Sequence, residues 1–554
     1  MEASPARVIQ YFNGEKQNLI PLFQRPYTWK EANWKTLWDD VMVQYDLGEN
    51  STHFMGAIVS VPARSVPVGV SKYLIIDGQQ RLTTVSLLLC ALRDCVDANS
   101  ASRIQEVYLT NRFRDAEDTL KFVPTQADRD SYATIALDRK LPDWWSLMGE
   151  AYEFFKTQIT EGVDANGDLV VASKVLNTLE HSLQVVMINL GDSDDPYLIF
   201  ESLNFKGEPL MQADLVRNYL LMRFRHSIAS GGEQERVYNK LWRPLEQSLK
   251  DSLTEFLRHY AMKDGENIRQ GGIYAAIKER LRRIEATEGV EAEMEQMQKF
   301  GNIYASILQP DLETHPAIRQ RLSNIKDLYV TTSYPLLLRL FDARSSGVLS
   351  EAELEECLGL IESFVVRRAV CGVPTNALNK LFLQWTKSVP NVGHPAWLLG
   401  VMSSGGGGRR FPNAAEFSDA FKNQPQYGRG PIRHILLRIE AAFGHKEPVD
   451  LAKTTIEHVL PQTLTDEWRT ELGDDPDALH AKLVDTVGNL TLTAYNGELG
   501  NLPFTDKKAK LNNTHIELTR PLLDLDHWGE KEILERADTL LKKAEELWPG
   551  QAVV

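Results

Sequence analysis

A chain of 554 residues exceeds what a single hydrophobic core ordinarily fills, and roughly three to four domains are expected. With 43% hydrophobic and 25% charged residues it has a globular composition, and no apolar run approaches the ~18 residues of a membrane span. The formal charge of −15 argues against a generally basic surface and leaves nucleic-acid contact to local patches, while four cysteines (Cys90, Cys95, Cys357, Cys371), none in a C-x-x-C pair, argue against a disulfide framework or zinc knuckle; a reducing cytoplasm is the expected compartment.

The first stretch mixes two periods. "FMGAIVSV" (54–61) and "KYLIID" (72–77) read as strands, and "WKTLWDDVMVQY" (34–45) as a helix whose Trp34, Leu37 and Trp38 face a core. "LIIDGQQRLTTVSLLLCALRDCV" (74–96) begins as a strand, breaks at Gly78 and continues as a helix with Leu82, Val85, Leu88, Leu89 and Leu92 along one stripe. Gly78 allows a turn without a Cβ, and the following helix start offers backbone N–H groups and the positive end of a dipole. Arg81 adds a guanidinium suited to phosphate, so the break is an expected anion site.

From about 145 to 440 the pattern is mostly helical. It is interrupted by "LQVVMINL" (183–190), expected to return as a strand to the first sheet, and by "SSGGGG" (403–408), expected as a flexible surface loop or linker. After about 445 "TTIEHVLPQ" and "VGNLTLTAYN" read as strands, "TDKKAKL" as a helix, and "WGEKEILERADTLLKKAEELW" as an amphipathic terminal helix. The expected fold is α+β and predominantly helical, divided at 1–230, 231–440 and 441–554.

Two constellations carry chemistry. In "IEHVLPQ" (456–462), "GNLTLTAYN" (488–496) and "GNLPFTDKK" (500–508), His458 can activate water, Asn489 can position it, and Glu457 and Asn496 offer oxygens to a hard cation, Mg²⁺ or Mn²⁺. Neighbours on a strand point to opposite faces, so Glu457 and His458 reach one site only if the strand ends or twists there. These three elements resemble the HNH (His-Me finger, ββα-metal) nuclease module of GmrSD-type modification-dependent, type IV restriction endonucleases. The resemblance implies His458 as general base, Asn489 as its positioner and Glu457 with Asn496 as metal ligands, Asn501 being the rival to Asn496. Lys507, Lys508 and Lys510 would meet DNA phosphates.

The second constellation comprises "IPLFQRPYTWK" (20–30), "IIDGQQRLTT" (75–84) and "FESLNFKGEPLMQADLVRNYLL" (200–221). In order, they resemble the signatures of the ParB/sulfiredoxin-like domain that begins GmrSD-type proteins. This implies nucleotide binding and hydrolysis, with Asp77, Gly78, Gln79, Gln80 and Arg81 around a triphosphate and Glu201, Asn204 and Lys206 contributing from the third signature. Asp214 and Arg217, three apart, could brace the site as an ion pair. Gln24, Arg25 and Tyr27 combine amide, guanidinium and aromatic groups suited to the nucleotide pocket or a DNA-sensing surface.

The expected activity is a nucleotide-dependent endonuclease that cuts modified phage DNA in prokaryotic defence, using GTP, ATP or CTP and acting on double-stranded DNA, with a homodimer a reasonable route to double-strand breaks. The alternatives are a non-cutting nucleic-acid-binding regulator, and an NTPase subunit acting with a separate nuclease.

Overall fold

The computed structural model describes residues 2–48, 51–62, 70–114, 117–191, 211–224, 232–284, 289–444 and 449–550. The chain forms two compact units, Met1–Pro244 with Ile277–Met294, and Leu245–Ala276 with Glu295–Val554.

The first unit is built on a six-stranded mixed sheet: β1 (Glu2–Arg7), β2 (Lys16–Leu19), β3 (His53–Pro62), β4 (Ser71–Asp77), β5 (Phe122–Val123) and β6 (Leu183–Asn189), in the order β1-β6-β3-β4-β2-β5. The strand expected at 183–190 does return to it, pairing parallel with β3 and antiparallel with β1. The helix Gln79–Asp94 is buried on nearly every side, with Leu82, Val85 and Leu87 through Leu92 at 0% exposure, so what reads as one stripe is a central helix. Trp34, Leu37 and Trp38 are buried in the same core.

The second unit is helical around a two-stranded antiparallel sheet of β7 (Thr455–His458) and β8 (Leu490–Thr493). Its core does not respect a boundary near 440. Val366, Phe417, Ile435 and Ile439 from the helical region pack in one cluster with Leu490, Leu492, Ala537 and Trp548. The glycine run is also tied down, because Arg368 Nη2 donates to the Gly408 carbonyl at 3.0 Å and Nη1 to that of Arg410 at 3.0 Å.

Glu362, at 0% exposure, anchors this unit. It accepts from Asn324 Nδ2 at 3.0 Å, Arg321 Nη1 at 3.1 Å and Trp548 Nε1 at 3.0 Å. Burial alone would raise its pKa, but these donors with His434 and Arg438 hold it at about 2. Replacing Glu362 by Ala should cost about 3–5 kcal/mol at neutral pH, because donors are left buried without their charge. The folded pKa lies below the ordinary 4.5, so the stabilisation is complete above that value and is lost as pH falls towards about 2. Urea midpoints for wild type and variant should therefore differ more at pH 7 than at pH 3; an equal gap at both would refute the charge assignment.

Candidate active site

β7 is only four residues long, and its alternation separates the two residues of the E-H pair. Glu457 turns towards the helix Phe504–Leu511, where its Oε1 accepts from Lys507 Nζ at 2.6 Å; the same ammonium donates to the His458 carbonyl at 2.8 Å. Both side chains are at most 5% exposed. Burial raises the Glu457 pKa against the opposing charge of Lys507, and lowers that of Lys507 against Glu457.

His458 faces a different set of partners. Its Nε2 lies 3.1 Å from Asp485 Oδ1, and the Tyr427 ring packs edge-on at 4.4 Å between centroids. The loop carrying Tyr427 is fixed to the same acid, since the Gln426 and Tyr427 amides donate to the Asp485 carbonyl at 2.7 and 3.1 Å. An ionised carboxylate only accepts, so Nε2 carries the hydrogen and Nδ1 keeps the basic lone pair. Burial lowers the His458 pKa from 6.5, with Asp485 opposing and Lys507 and His480 reinforcing. The imidazole is thus neutral at pH 7, the form a general base requires.

Asn489 is fully buried and holds backbone: Nδ2 donates to the Leu460 and Val484 carbonyls, both at 2.8 Å, and Oδ1 accepts from Leu460 N at 2.7 Å and Trp528 Nε1 at 3.0 Å. It ties down the chain two residues beyond His458 and makes no hydrogen bond to the ring. The preceding Gly488 is required by close approach, because a Cβ there would lie 2.2 Å from the Ile533 carbonyl oxygen. Arg536, on the helix Glu530–Leu547, completes the clamp by donating to the Gly488 and Leu490 carbonyls at 2.7 and 2.8 Å.

Asn496 donates its amide to Ile456 O at 2.9 Å and Thr455 Oγ1 at 3.0 Å. Glu457 and Asn496 have the oxygen donors a hard divalent cation prefers. Their arrangement does not fit one as it stands: Lys507 already neutralises Glu457, and among the described residues no three of His, Cys, Asp and Glu gather to hold a metal. Of the other lysines, Lys508 donates to the Leu525 carbonyl, and Lys510 pairs with Glu498 at 3.5 Å with both side chains exposed. Lys507, at 1% exposure, cannot reach a phosphate in this conformation.

In the first unit β4 ends at Asp77, and Gly78 takes a left-handed φ of 89°. A Cβ there would meet Ile58 Cγ1 at 2.9 Å. Arg81 donates from Nη1 to the Ala57 carbonyl at 2.9 Å and lies against Gly56, where a Cβ would be 2.9 Å from its Nη2. Burial raises the pKa of Asp77, opposed by the Gly78 N–H and Arg81. Arg81 also lines a cavity of about 300 Å³ with Trp29, Asn33, Asp40 and His53.

Gln80 of the turn serves the "FQRPYTW" loop. Gln80 accepts from Thr28 N at 2.9 Å and donates to Pro26 O at 3.1 Å, and Gln24 Nε2 donates to Ile76 O at 2.8 Å. The Tyr27 hydroxyl bonds Thr84 Oγ1 at 2.7 Å and accepts from Trp34 Nε1 at 2.8 Å. Gln24, Tyr27, Gln79 and Gln80 are all buried, so Gln24 and Tyr27 brace this loop and do not present a DNA-facing surface; Arg25 is half-buried. Asp214 and Arg217 form a buried pair at 2.9 Å, and Arg217 Nε donates to Phe23 O at 3.0 Å, holding the same loop. Glu201, Asn204 and Lys206 lie outside the described residues.

Two family models match. Residues 8–221 match the GmrSD restriction endonuclease N-terminal domain, and residues 411–543 match the GmrSD restriction endonucleases C-terminal domain. The chain belongs to the GmrSD family of restriction endonucleases. It is a restriction endonuclease, and its substrate is DNA. No curated protein matches it. The C-terminal match begins at 411, well before the β7 strand, in keeping with the core shared across residue 440.

Sequence reasoning missed Asp485 and Tyr427. Asp485 stands three residues before Gly488, and an acid just ahead of G-N-L on the strand paired with an E-H strand was a usable signal. Tyr427 gave none, being brought to His458 only by the tertiary fold.

The buried pair makes a specific demand. Lys507→Met should destabilise the protein by about 3–5 kcal/mol by stranding the Glu457 charge, and Glu457→Gln added to it should recover much of that loss. Denaturant midpoints of the two singles and the double decide it, and an unchanged midpoint in Lys507→Met would sink the structural role.

Proposed function

We propose that this restriction endonuclease cuts modified phage DNA with His458 as general base, under control of a nucleoside triphosphate held by the Asp77–Arg81 turn. The observation that carries the nuclease half is the buried imidazole whose Nε2 lies 3.1 Å from Asp485 Oδ1, with its pKa lowered by burial. In this reading Nδ1 takes a proton from water as the water oxygen bonds to phosphorus, the bond from phosphorus to the leaving sugar oxygen breaks and that oxygen takes a proton from solvent, and Asp485 stabilises the imidazolium that results. The partly exposed Asp485 and Tyr427 mark the side from which substrate reaches the ring. Mg²⁺ or Mn²⁺ belongs to this reading only as a requirement to be tested: with Glu457 paired to Lys507 the arrangement does not hold a cation, and no step is routed through one. Lys508 and Lys510, near the surface of the same helix, are the proposed phosphate contacts.

For the nucleotide half, the left-handed glycine, the start of a long helix and the Arg81 guanidinium beside a polar cavity support an anion site. GTP, ATP and CTP are all compatible with it, and Glu201, Asn204 and Lys206 are proposed to join it. Defence in the prokaryotic cytoplasm and action as a homodimer belong to the same reading. No helix among the described residues is long and apolar enough to cross a membrane.

His458→Ala should abolish cleavage of modified phage DNA in Mg²⁺ or Mn²⁺ while sparing nucleotide hydrolysis, and Arg81→Ala should remove hydrolysis. Gel analysis and phosphate release separate the two activities. Normal nicking by the histidine variant would refute its role, and EDTA-resistant cleavage would remove the metal from the proposal.

Since burial lowers the His458 pKa from 6.5, the acid limb of the rate profile should fall below pH 6.5. Asp485 raises that pKa, so Asp485→Asn should move the limb further towards acid and slow the plateau by about 10²-fold. A limb that stays in place would show that Asp485 does not act on the imidazole.

A further inference from the structure

Beside the His458 site, and distinct from it, the second unit contains a cavity of about 760 Å³. That volume falls within the ~300–1,000 Å³ typical of small-molecule sites. Its walls come from three segments and include Asp327, Tyr329, Val365, Arg368, Leu378 and Arg429.

The lining combines apolar side chains with a few polar groups of defined character. Tyr329 is 88% exposed and sits at a left-handed φ of 53°, a conformation costly for a non-glycine residue. A large ring is thus held outside the core at the mouth of an apolar cavity. Arg368 is 2% exposed; its terminal nitrogens are spent on the carbonyls of Pro374, Gly408 and Arg410, but among the described residues its buried Nε has no hydrogen-bond partner. Burial lowers its pKa. An unpaired buried donor calls for an acceptor. Arg429 adds a second guanidinium, which donates to the Val370 carbonyl, and Asp327 an exposed carboxylate able to accept from an amine.

A flat apolar body with ring acceptors and an exocyclic donor fits this combination, and a nucleobase has that chemistry. We propose that this cavity binds a nucleobase, stacked on Tyr329 with its acceptors towards Arg368 and Arg429. The base comes either from a nucleotide extruded from the DNA or from a free mononucleotide; the chemistry is the same. The location gives binding a consequence. Arg429, Gly430 and Pro431 line the cavity, and Tyr427, two residues earlier in that loop, packs on the His458 ring. The same loop thus lines the cavity and contacts the His458 ring. The inference takes DNA as substrate from the family, but not the identity of the general base.

The test uses the full-length His458→Ala chain, so that binding is read without cleavage. In one arm, duplex DNA carrying 2-aminopurine is titrated with protein; extrusion and capture should raise its fluorescence severalfold. In the other arm, free dCMP and dAMP are titrated by calorimetry. Ala369→Trp fills the cavity, and Tyr329→Ala removes only an exposed ring, guarding against a folding failure in the first variant. A signal in the duplex arm that both variants reduce identifies an extruded base as occupant. A signal only with free nucleotide, weakened about tenfold by Tyr329→Ala, identifies a mononucleotide. No signal in either arm, or signals indifferent to both substitutions, overturns the proposal. Residual cutting by the His458→Ala chain would count against the nuclease reading and leave this result standing.

Discussion

The second unit turns on a two-stranded sheet too small to stand alone. Two strands of four residues are marginal in water, so the β7–β8 pair must be held by its surroundings. Asn489 ties the end of β7 to the segment before β8, Arg536 grips the start of β8 from the terminal helix, and Lys507 fastens the β7 backbone at His458. Each is a polar side chain sunk to the backbone with its hydrogen bonds satisfied, which makes such contacts worth keeping and costly to cut. The G-N-L triplet follows from this: glycine because Ile533 leaves no room, asparagine because four backbone or indole partners converge, leucine because it enters the core.

The first unit solves a similar problem with amides. A strand, a left-handed glycine and a helix leave backbone groups at the turn in need of partners, and the "FQRPYTW" loop is laid across it by Gln24, Gln80 and the Tyr27 hydroxyl. Arg217, paired to Asp214, secures the far side of that loop at Phe23. Three separated sequence signatures are therefore one structural joint. Among the described residues Gln24, Gln80, Asp214 and Arg217 build the joint, and Arg81 lines a cavity.

Legibility in the sequence followed the range of the interactions. The strand-glycine-helix break at Gly78, the helix after Pro503, the terminal helix and the strand at 183–190 rest on local period and turn chemistry, and they were readable. The Asp214–Arg217 pair was readable from its spacing, though its burial was not, since spacing says nothing of what packs on a helix face. The packing across residue 440 was not legible for the opposite reason: a change in texture marks where helices give way to strands, and a core is free to cross it. Within the candidate site, the E-H and G-N-L segments are brought together as paired strands. The roles of individual atoms depended on Asp485, Lys507 and Tyr427, contributed from 27 to 50 residues away in chain position, where no period reaches.

The alternation of β7 gives the arrangement a further logic. Had Glu457 and His458 shared a face, the carboxylate would have favoured a protonated imidazole at neutral pH. Placing Glu457 on the other side, and matching it with an ammonium at 2.6 Å, removes most of its field from the ring. Lys507 then acts on His458 as a nearby positive charge and lowers its pKa, in the same direction as burial. Asp485, more exposed and therefore better screened, opposes this and orients the ring through Nε2. The result is an imidazole whose pKa is lowered first by burial and further by the Lys507 ammonium, with Asp485 opposing, and the single-residue offset between Glu457 and His458 keeps the carboxylate on the other face.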